Sequence, residues 1–484
     1  MSISSALTNA LTGLTAAARR ADVVSANVAN ALTPGYGRRE VQISAMSLGG
    51  NGAGVRVDGV TRAVNAGVIG DRRLADAETG NADLRAQALA RIEGAIGDPT
   101  SDGSLSARLG NLEEALILAA ARPDSEARLQ SVADSAAILA GMLADLTGQV
   151  QDIRMDADQE IARQVGVLNT SLRQIDELNA DILAQRSAGR DATALMDQRQ
   201  VLVDQVARIV PLREVPRDHD QIALFTTGGA ILLEGNPAEI GFAPVGVITA
   251  DMTLQSGALS GLTVNGMQIP AGESGPLRGG SLGALFAIRD EIATGAQTQF
   301  DAFARDLIER FTGPSADPTL ASGVPGLFTD AGGPVDVPNE AGLAGRIRLN
   351  AAVDPVQGGA LWRLRDGIGA VSPGAVGEPA LLQSLADTLA AARVPASGTF
   401  IGAARSASGL AADIASQVSG KRLAAEANGA HAAARQSALG DLELAGGVDT
   451  DAEMQNLLLV EQAFSANARV IQTLDDLIQQ LIGL

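Results

Sequence analysis

The chain has 484 residues, of which 46% are hydrophobic but only 2% aromatic, and its formal net charge is −20. This acidity argues against sequence-independent nucleic-acid binding, which needs a basic surface, and no apolar run approaches the roughly 20 residues of a transmembrane helix. Because the chain contains no cysteine, disulfides, thiolate metal sites and cysteine nucleophiles are excluded.

The first predicted element is a helix over residues 3–32 that carries apolar side chains at alternating spacings of four and three. These residues, the N-terminal seam, are Ile3, Leu7, Ala10, Leu14, Ala17, Ala21, Val24 and Val28. A 3.5-residue period keeps one apolar face turned towards a partner helix when helices supercoil. Pro34 and Gly35 end the helix, since proline disfavours helical backbone at the residue before it.

The interior of the chain is predicted to consist of helices that enclose a β insertion. The predicted helices are 62–97, 125–185, 192–210, 281–312, 378–394 and 406–437. The predicted strands are 41–44, 55–60 and 346–349, together with hairpins at 222–233 and 262–269. A helix over 125–185 would be about 90 Å long, which favours a rod. Its own three–four spacing, at residues 161–182, is predicted to be buried bundle core.

A last helix, beginning near residues 449–451, repeats the pattern of the first. Its C-terminal seam is Leu457, Val460, Phe464, Asn467, Ile471, Leu474, Ile478 and Leu481. Residues 1–45 carry a net charge of +2 and residues 450–484 a net charge of −4, so that pairing of the two ends is favoured. The core of an ordinary bundle is the alternative, but seams at both termini, where chains usually fray, favour assembly between molecules.

The predicted fold is mainly α with a smaller β part (α+β): an elongated helical rod with terminal coiled-coil helices and inserted β segments. Four domains are predicted. They are a terminal coiled-coil assembly domain (1–36 with 447–484), a mainly helical rod domain (37–210 with 275–312 and 378–446), β hairpins (211–274) and a small β/loop outer domain (313–377).

Little in the sequence suggests catalysis. Residues 279–283 match the Gly-x-Ser-x-Gly nucleophile elbow, but no buried strand precedes them. Ser281 is therefore predicted to be the N-cap of the following helix. The acidic pair Asp156 and Asp158 is predicted to lie on a solvated helix face. We predict no catalytic residue, no metal site and no cofactor.

Two terminal motifs resemble the axial rod, hook and hook-associated proteins of the bacterial flagellum. The first is Ser-Ala-Asn-Val-Ala-Asn at 25–30, followed by Thr-Pro-Gly-Tyr-Gly-Arg at 33–38. The second runs from Gly447 to Thr473, with Phe464 where the family often has tyrosine. The Thr-Pro-Gly-Tyr form with its following arginine is similar to the hook-associated protein 1 family, and interior segments at 197–199 and 279–285 fit as well.

This resemblance implies a non-enzymatic structural component of the flagellum that forms the junction ring between hook and filament and allows filament assembly, and so motility. It implies type III export to an extracellular position and a coiled-coil inner tube made by both termini. A hinge motif would leave that tube: Asn27, Asn30, Thr33, Pro34, Gly35, Tyr36 and Arg38. Asn27 and Asn30 are also compatible with simple C-capping of the first helix.

The implied partners are other copies in the axial ring, the hook protein, the next hook-associated junction protein and an export chaperone at the C-terminal helix. Neither nucleic acid nor membrane insertion is expected. Two alternatives stay open at this point. One is another flagellar axial protein, from the hook or rod; the other is a helical extracellular adhesin, which would need a surface anchor that the sequence does not show.

Overall fold

Helices form most of this chain, which we describe from a computed structural model covering residues 3–48 and 51–483. Residues 1, 2, 49, 50 and 484, which the predicted domains include, lie outside the described residues. The helices are α1 Ile3–Asn30, α2 Ala66–Ile96, α3 Leu105–Ala121, α4 Glu126–Ser187, α5 Thr193–Ile209, α6 Gly280–Ala287, α7 Ala293–Arg310, α8 Leu343–Arg346, α9 Trp362–Asp366, α10 Ala380–Ala390, α11 Ala407–Ala445 and α12 Thr450–Ile482.

The strands form small antiparallel sheets, and the prediction of a mainly α fold with a smaller β part is confirmed. They are β1 Arg38–Leu48, β2 Asn51–Ala63, β3 Leu212–Pro216, β4 Ile222–Thr226, β5 Ile231–Glu234, β6 Asn236–Pro237, β7 Ile240–Gly241, β8 Leu262–Val264, β9 Met267–Ile269, β10 Phe328–Asp330 and β11 Ile347–Leu349. The sheets have the orders β1-β2, β3-β4-β5-β6, β7-β8-β9 and β10-β11.

The 62-residue helix α4 is the axis of the body and spans about 93 Å at 1.5 Å per residue. It packs against α3, α5 and α7, and the three–four residues at 161–182 are buried, as predicted. In the described part of the chain, α4 alone has the length and composition to cross a membrane, and the core that it forms accounts for its apolar residues. Sequence reasoning missed α3, although Leu105, Leu109, Leu112 and Leu116 are buried at helical spacing.

Two asparagines of α4 hold the inserted β segments against the helix. Asn169 exchanges two hydrogen bonds with the backbone of Ile240, of 2.7 and 2.9 Å, and Asn179 does the same with Ile222, at 3.0 and 3.3 Å. Each side-chain amide pairs with both the N–H and the C=O group of one strand residue. Without the asparagine, these backbone groups would be buried without a partner. The predicted hairpins are present, and Asn265 begins the tight turn of the second with a φ of 50°.

The segment 313–377 contains the β10–β11 pair and the short helices α8 and α9. Its apolar residues, among them Leu327, Phe328, Ile347 and Leu364, are buried in the same core as α3, α4, α7 and α10. Asp301 of α7 fixes the segment further, because its carboxylate accepts the backbone N–H groups of residues 342 and 344, each at 2.8 Å. The boundaries of the four predicted domains remain a prediction.

A buried ion pair joins α4 to a π-helical turn, Ile288–Ile292, between α6 and α7. Asp158 Oδ1 lies 2.6 Å from Arg289 Nη1, and both side chains are 0% exposed. The predicted solvated face is therefore wrong for Asp158, whereas Asp156 is exposed and pairs with Arg91 at 2.9 Å. Residues two apart on a helix point in nearly opposite directions, so the two aspartates could not share one face.

Ser281 is not the helix cap that the sequence suggested. Gly279 occupies the N-cap position of α6 with a φ of 80°, and Ser281 lies inside the first turn. Its hydroxyl donates a hydrogen bond of 2.8 Å to Oε1 of Gln164 on α4. The hydroxyl therefore ties two helices together, and the Gly-x-Ser-x-Gly spacing reflects close packing at the start of α6.

Candidate assembly interface and hinge

The two terminal helices pack against each other in antiparallel orientation. Gly13, midway along α1, faces Asn467 of α12, and Arg38, just beyond α1, pairs with Glu453 at the start of α12. A Cβ at position 13 would lie 2.8 Å from the amide oxygen of Asn467. Glycine at this point thus lets the Asn467 amide lie directly against α1.

The two predicted seams meet in this pair, though unevenly. In the N-terminal seam, Ala10, Ala17 and Val24 are buried, Ile3, Leu14, Ala21 and Val28 are half-buried, and Leu7 is exposed. In the C-terminal seam, Val460 and Leu474 are buried, Leu457, Asn467, Ile471 and Ile478 are half-buried, and Phe464 and Leu481 are exposed. Alanine-rich packing of this kind buries little apolar area, so the isolated pair is weakly stabilised.

A large apolar surface remains uncovered on the terminal pair. Its exposed residues are Leu7, Leu11, Met454, Leu458, Leu459, Phe464, Val470, Leu477, Leu481 and Ile482. A few exposed leucines are ordinary, but this many large apolar side chains left uncovered on one helix pair indicate surfaces for binding other proteins.

The turn after α1 is fixed by a group of polar side chains that we call the hinge cluster: Asn27, Tyr36, Arg39, Arg62 and Asp197. Asn27, only 1% exposed, accepts hydrogen bonds from the Tyr36 hydroxyl at 2.8 Å and the Arg39 N–H at 2.9 Å. Its amide also donates to the Arg39 carbonyl at 3.0 Å. Asn27 thus ties the last turns of α1 to strand β1, a larger role than helix capping.

Asp197 of α5 is the central acceptor of the hinge cluster. It accepts the Gly37 N–H at 3.0 Å, Arg39 Nη2 at 3.1 Å and Arg62 Nε at 2.7 Å. Arg39 also lies over the Tyr36 ring, 4.9 Å from its centre. Asp197 belongs to a segment that resembled the flagellar family, but its contact with the hinge was missed, because nothing in a single sequence connects positions 160 residues apart.

The remaining hinge residues shape the turn itself. Asn30 donates to the Ala26 carbonyl at 2.9 Å and accepts the Thr33 hydroxyl at 3.3 Å. Gly35 has a φ of 77°, and a Cβ there would lie 2.6 Å from a methyl group of Val201. The exposed Thr33 and Pro34 form the outside of the turn.

Burial raises the pKa of Tyr36, so its phenol stays protonated and can donate to Asn27. Arg38 lies next to the hinge cluster and binds Glu453, a nearly buried carboxylate, at 2.8 Å. This hydrogen bond raises the pKa of Arg38. The start of α12 is therefore tied to the same turn that ends α1.

The second connection between the terminal pair and the body, from α11 to α12, is anchored beside the first. Glu443 near the end of α11 pairs with Arg72 of α2 and accepts from Gln200 of α5 at 3.4 Å. Gln200 in turn accepts from Arg62 of the hinge cluster. One turn of α5, from Asp197 to Gln200, thus holds both connections.

Replacing Asp197 with alanine is expected to loosen the hinge locally. The change leaves one backbone N–H and two guanidinium groups without their acceptor, at a cost of roughly 2 kcal/mol. Amide hydrogen exchange at Gly37 and Arg39 should accelerate by roughly 30-fold, as measured by mass spectrometry or NMR. Asp191→Ala is the matched control, since Asp191 is exposed and reaches only Arg19, at 3.9 Å, and the N-terminus of α5. Unchanged exchange in Asp197→Ala would contradict the assigned role.

Within the described residues, no group of three or more His, Asp or Glu side chains could hold a metal ion. The buried carboxylate of Asp158 and the half-buried one of Asp197 are paired with arginines, and the buried carboxylate of Asp301 accepts backbone N–H groups, which is the geometry of structural contacts. The site consists of a helix pair and the polar hinge cluster beside it.

Comparisons with known proteins agree with this arrangement. Residues 89–317 match the family profile described as flagellar hook-associated protein FlgK helical domain. Residues 7–36 match flagella basal body rod protein, and residues 445–484 match the C-terminal profile of the flagellar basal body rod FlgEFG proteins. Flagellar hook-associated protein 1 of Bacillus subtilis is 23% identical over 492 residues, covering 94% of this chain and 93% of that protein. The chain is similar over nearly its whole length to this flagellar hook-associated protein 1.

Other similarities of this chain cover less of it. The Salmonella typhimurium flagellar hook-associated protein 1 is 26% identical over 360 residues, and the match covers 72% of this chain and 64% of that protein. The flagellar hook junction protein FlgK from Burkholderia pseudomallei shares 21% identity with a TM-score of 0.45, over 54% of this chain and 46% of that one.

The resemblance of the terminal motifs to flagellar proteins is confirmed. The match over 7–36 includes most of α1 and the turn up to Tyr36, and the match over 445–484 includes all of α12. The two helices that pack together in the structure are therefore the two segments shared with flagellar axial proteins.

Proposed function

We propose that this chain is a structural component of the bacterial flagellum that forms the junction ring between hook and filament and allows the filament to assemble. The observation that carries this proposal is the α1–α12 pair, an apolar double helix at the termini that leaves much of its apolar surface exposed. A folded body with such an end is suited to packing many copies side by side.

The terminal pair supplies the contacts along the axis, and the body lies outside it. The N-terminal and C-terminal seams hold the pair together, whereas the exposed leucines, valine and phenylalanine are buried when copies assemble. Since apolar burial contributes about 25 cal/mol per Å², neighbouring copies stabilise a pair that is weak by itself. The hinge cluster sets the angle between the pair and the body.

The partners are other copies in the ring, the hook protein on one side and the next hook-associated junction protein on the other. Before assembly, the exposed apolar face of α12 needs protection, which a flagellar export chaperone provides. Export through the flagellar type III apparatus places the chain outside the cell. The role is structural, and no enzymatic activity is part of the proposal.

The test is electron microscopy of cells that lack this gene, combined with an assay for flagellin in the medium. We expect hooks without filaments, with flagellin lost to the medium. Expression of the full chain should restore filaments and reduce the flagellin in the medium. Missing hooks would instead indicate a hook or rod component. Intact filaments would reject the junction role and favour the adhesin alternative.

A further inference from the structure

A groove of about 470 Å³ runs alongside the terminal pair. Its floor is α1, where Ala16 and Ala17 are small enough for another helix to lie close. One wall is strand β1, through Ile43, and the other is α12, through Leu459 and Ala463. The groove is thus lined by three elements, with both apolar and charged side chains. Of the charged ones, Arg38 pairs with Glu40 and Glu453, and Arg39 pairs with Asp197.

The α12 wall continues beyond the groove as a row of exposed residues. Leu459, Ala463, Ala466, Val470 and Leu477 follow one another at spacings of four, three, four and seven, so they lie on one side of the helix. This row is a second seam, next to the one that faces α1. A helix with two adjacent seams packs against two neighbours, and this chain supplies one of them.

Charge indicates which helix the groove accepts. Arg20 lies in the groove, is exposed and makes no ion pair among the described residues. On the opposite side of α12 from the second seam, Glu461 and Asp475 lie two heptads apart, both exposed and likewise without an ionic partner in the described chain. Met454 and Leu458 share that face and supply apolar groups.

We propose that the groove receives α12 of a second copy of this chain, with the acidic face carrying Glu461 and Asp475 turned towards Arg20. This inference rests on the proposed function, because it specifies how neighbouring copies meet. The groove and the acidic face are different surfaces of one chain, so the contact is heterologous and repeats from copy to copy. Such repetition either closes into a ring or continues as a helix.

The test uses charge reversal in two full-length chains. In copies carrying Arg20→Glu, the groove glutamate faces the acidic residues of the next copy. In copies carrying Glu461→Arg and Asp475→Arg, the new arginines face Arg20 of the next copy. In a one-to-one mixture, alternating chains bring opposite charges together at every contact. We expect each variant alone to lose association at least about tenfold and the mixture to recover it, with the effect weakening at high salt.

Association is measured by cross-linking through introduced cysteines. Because the chain has no native cysteine, the cross-linker reacts only at the chosen positions. Cysteines replace Ile43 in the groove wall and Leu458 on the acidic face, both exposed positions, and a short bis-maleimide joins neighbouring copies. Circular dichroism checks folding. Arg19→Glu is the matched control, since Arg19 is also exposed but points to Asp191 outside the groove, and its ladder of cross-linked species should match that of the unreversed chain.

Three results would overturn the inference: no cross-links in the unreversed chain, unchanged cross-links in either charge variant, or failure of the mixture to recover. The last would mean that Arg20 does not face Glu461 and Asp475 across the contact. Failure of the proposed function is separate, because it would appear as normal filaments in cells lacking the gene, whatever the purified chains do.

Discussion

Deletion of residues 451–484 is expected to abolish incorporation of the chain into flagella while leaving its body folded. The helix removed packs along α1, and its tie to the rest of the chain is the pair between Arg38 and Glu453. The core around α4 includes no residue of α12. The deletion should therefore leave the thermal unfolding of the body nearly unchanged, while the amount of the chain in purified hook–filament preparations falls to background.

A point variant makes the same test without shortening the chain. Leu474 is 8% exposed between the terminal helices, and Leu474→Asp costs roughly 3 kcal/mol through lost apolar burial and the desolvation of a carboxylate. Gln472→Asp adds the same charge at an exposed position of the same helix and should be incorporated normally. Incorporation of the truncated chain, or equal behaviour of the two aspartate variants, would refute the role of the C-terminal seam.

Asp158→Ala should be among the most destabilising single changes in the body, at about 3 kcal/mol, the lower end for a broken buried pair because Arg289 keeps its contact with Asp290. The pair with Arg289 is fully buried, and Asp158 also accepts the Val245 N–H at 2.8 Å. Removing the carboxylate leaves a guanidinium without its interhelical partner among the rings of Phe242 and Phe286. Urea unfolding followed by circular dichroism measures the loss.

Asp156→Ala is the control for this change. Asp156 lies two residues away on the same helix, but its pair with Arg91 is more than half exposed on both sides, so its loss should cost less than about 1 kcal/mol. A double variant, Asp158→Leu with Arg289→Met, removes both charges and should be more stable than Asp158→Ala alone. Equal losses for Asp156→Ala and Asp158→Ala would show that the buried pair has no special weight.

Periodicity was a good guide where one face of an element meets the core. The extent of α4 was predicted to within two residues, because its buried residues recur at three–four spacing over its whole length. The two terminal seams were readable for the same reason. Helix α3 was missed although it is as long as α5, at 17 residues, and its buried leucines recur at helical spacing.

Polar contacts between distant segments could not be predicted in the same way. Asp158 and Asp197 both look like ordinary surface acids in the sequence, yet one is buried against Arg289 and the other organises the hinge cluster. Burial of a charge depends on which partner the fold brings to it, over 131 residues in the first case and 160 in the second. Local spacing carries no trace of such a partner.

The placement of both chain crossings on one turn of α5 has a mechanical consequence. The β1–β2 hairpin packs along α1, so the terminal pair and the hairpin form one lever, and the body forms another. Both polypeptide connections between the two levers lie beside the same turn of α5. The levers can therefore tilt about this turn without stretching either connection. A force on the terminal pair then reaches the body through the charged hydrogen bonds of the hinge cluster. These bonds can break by exchange with water and form again, so the apolar core of the body is not deformed.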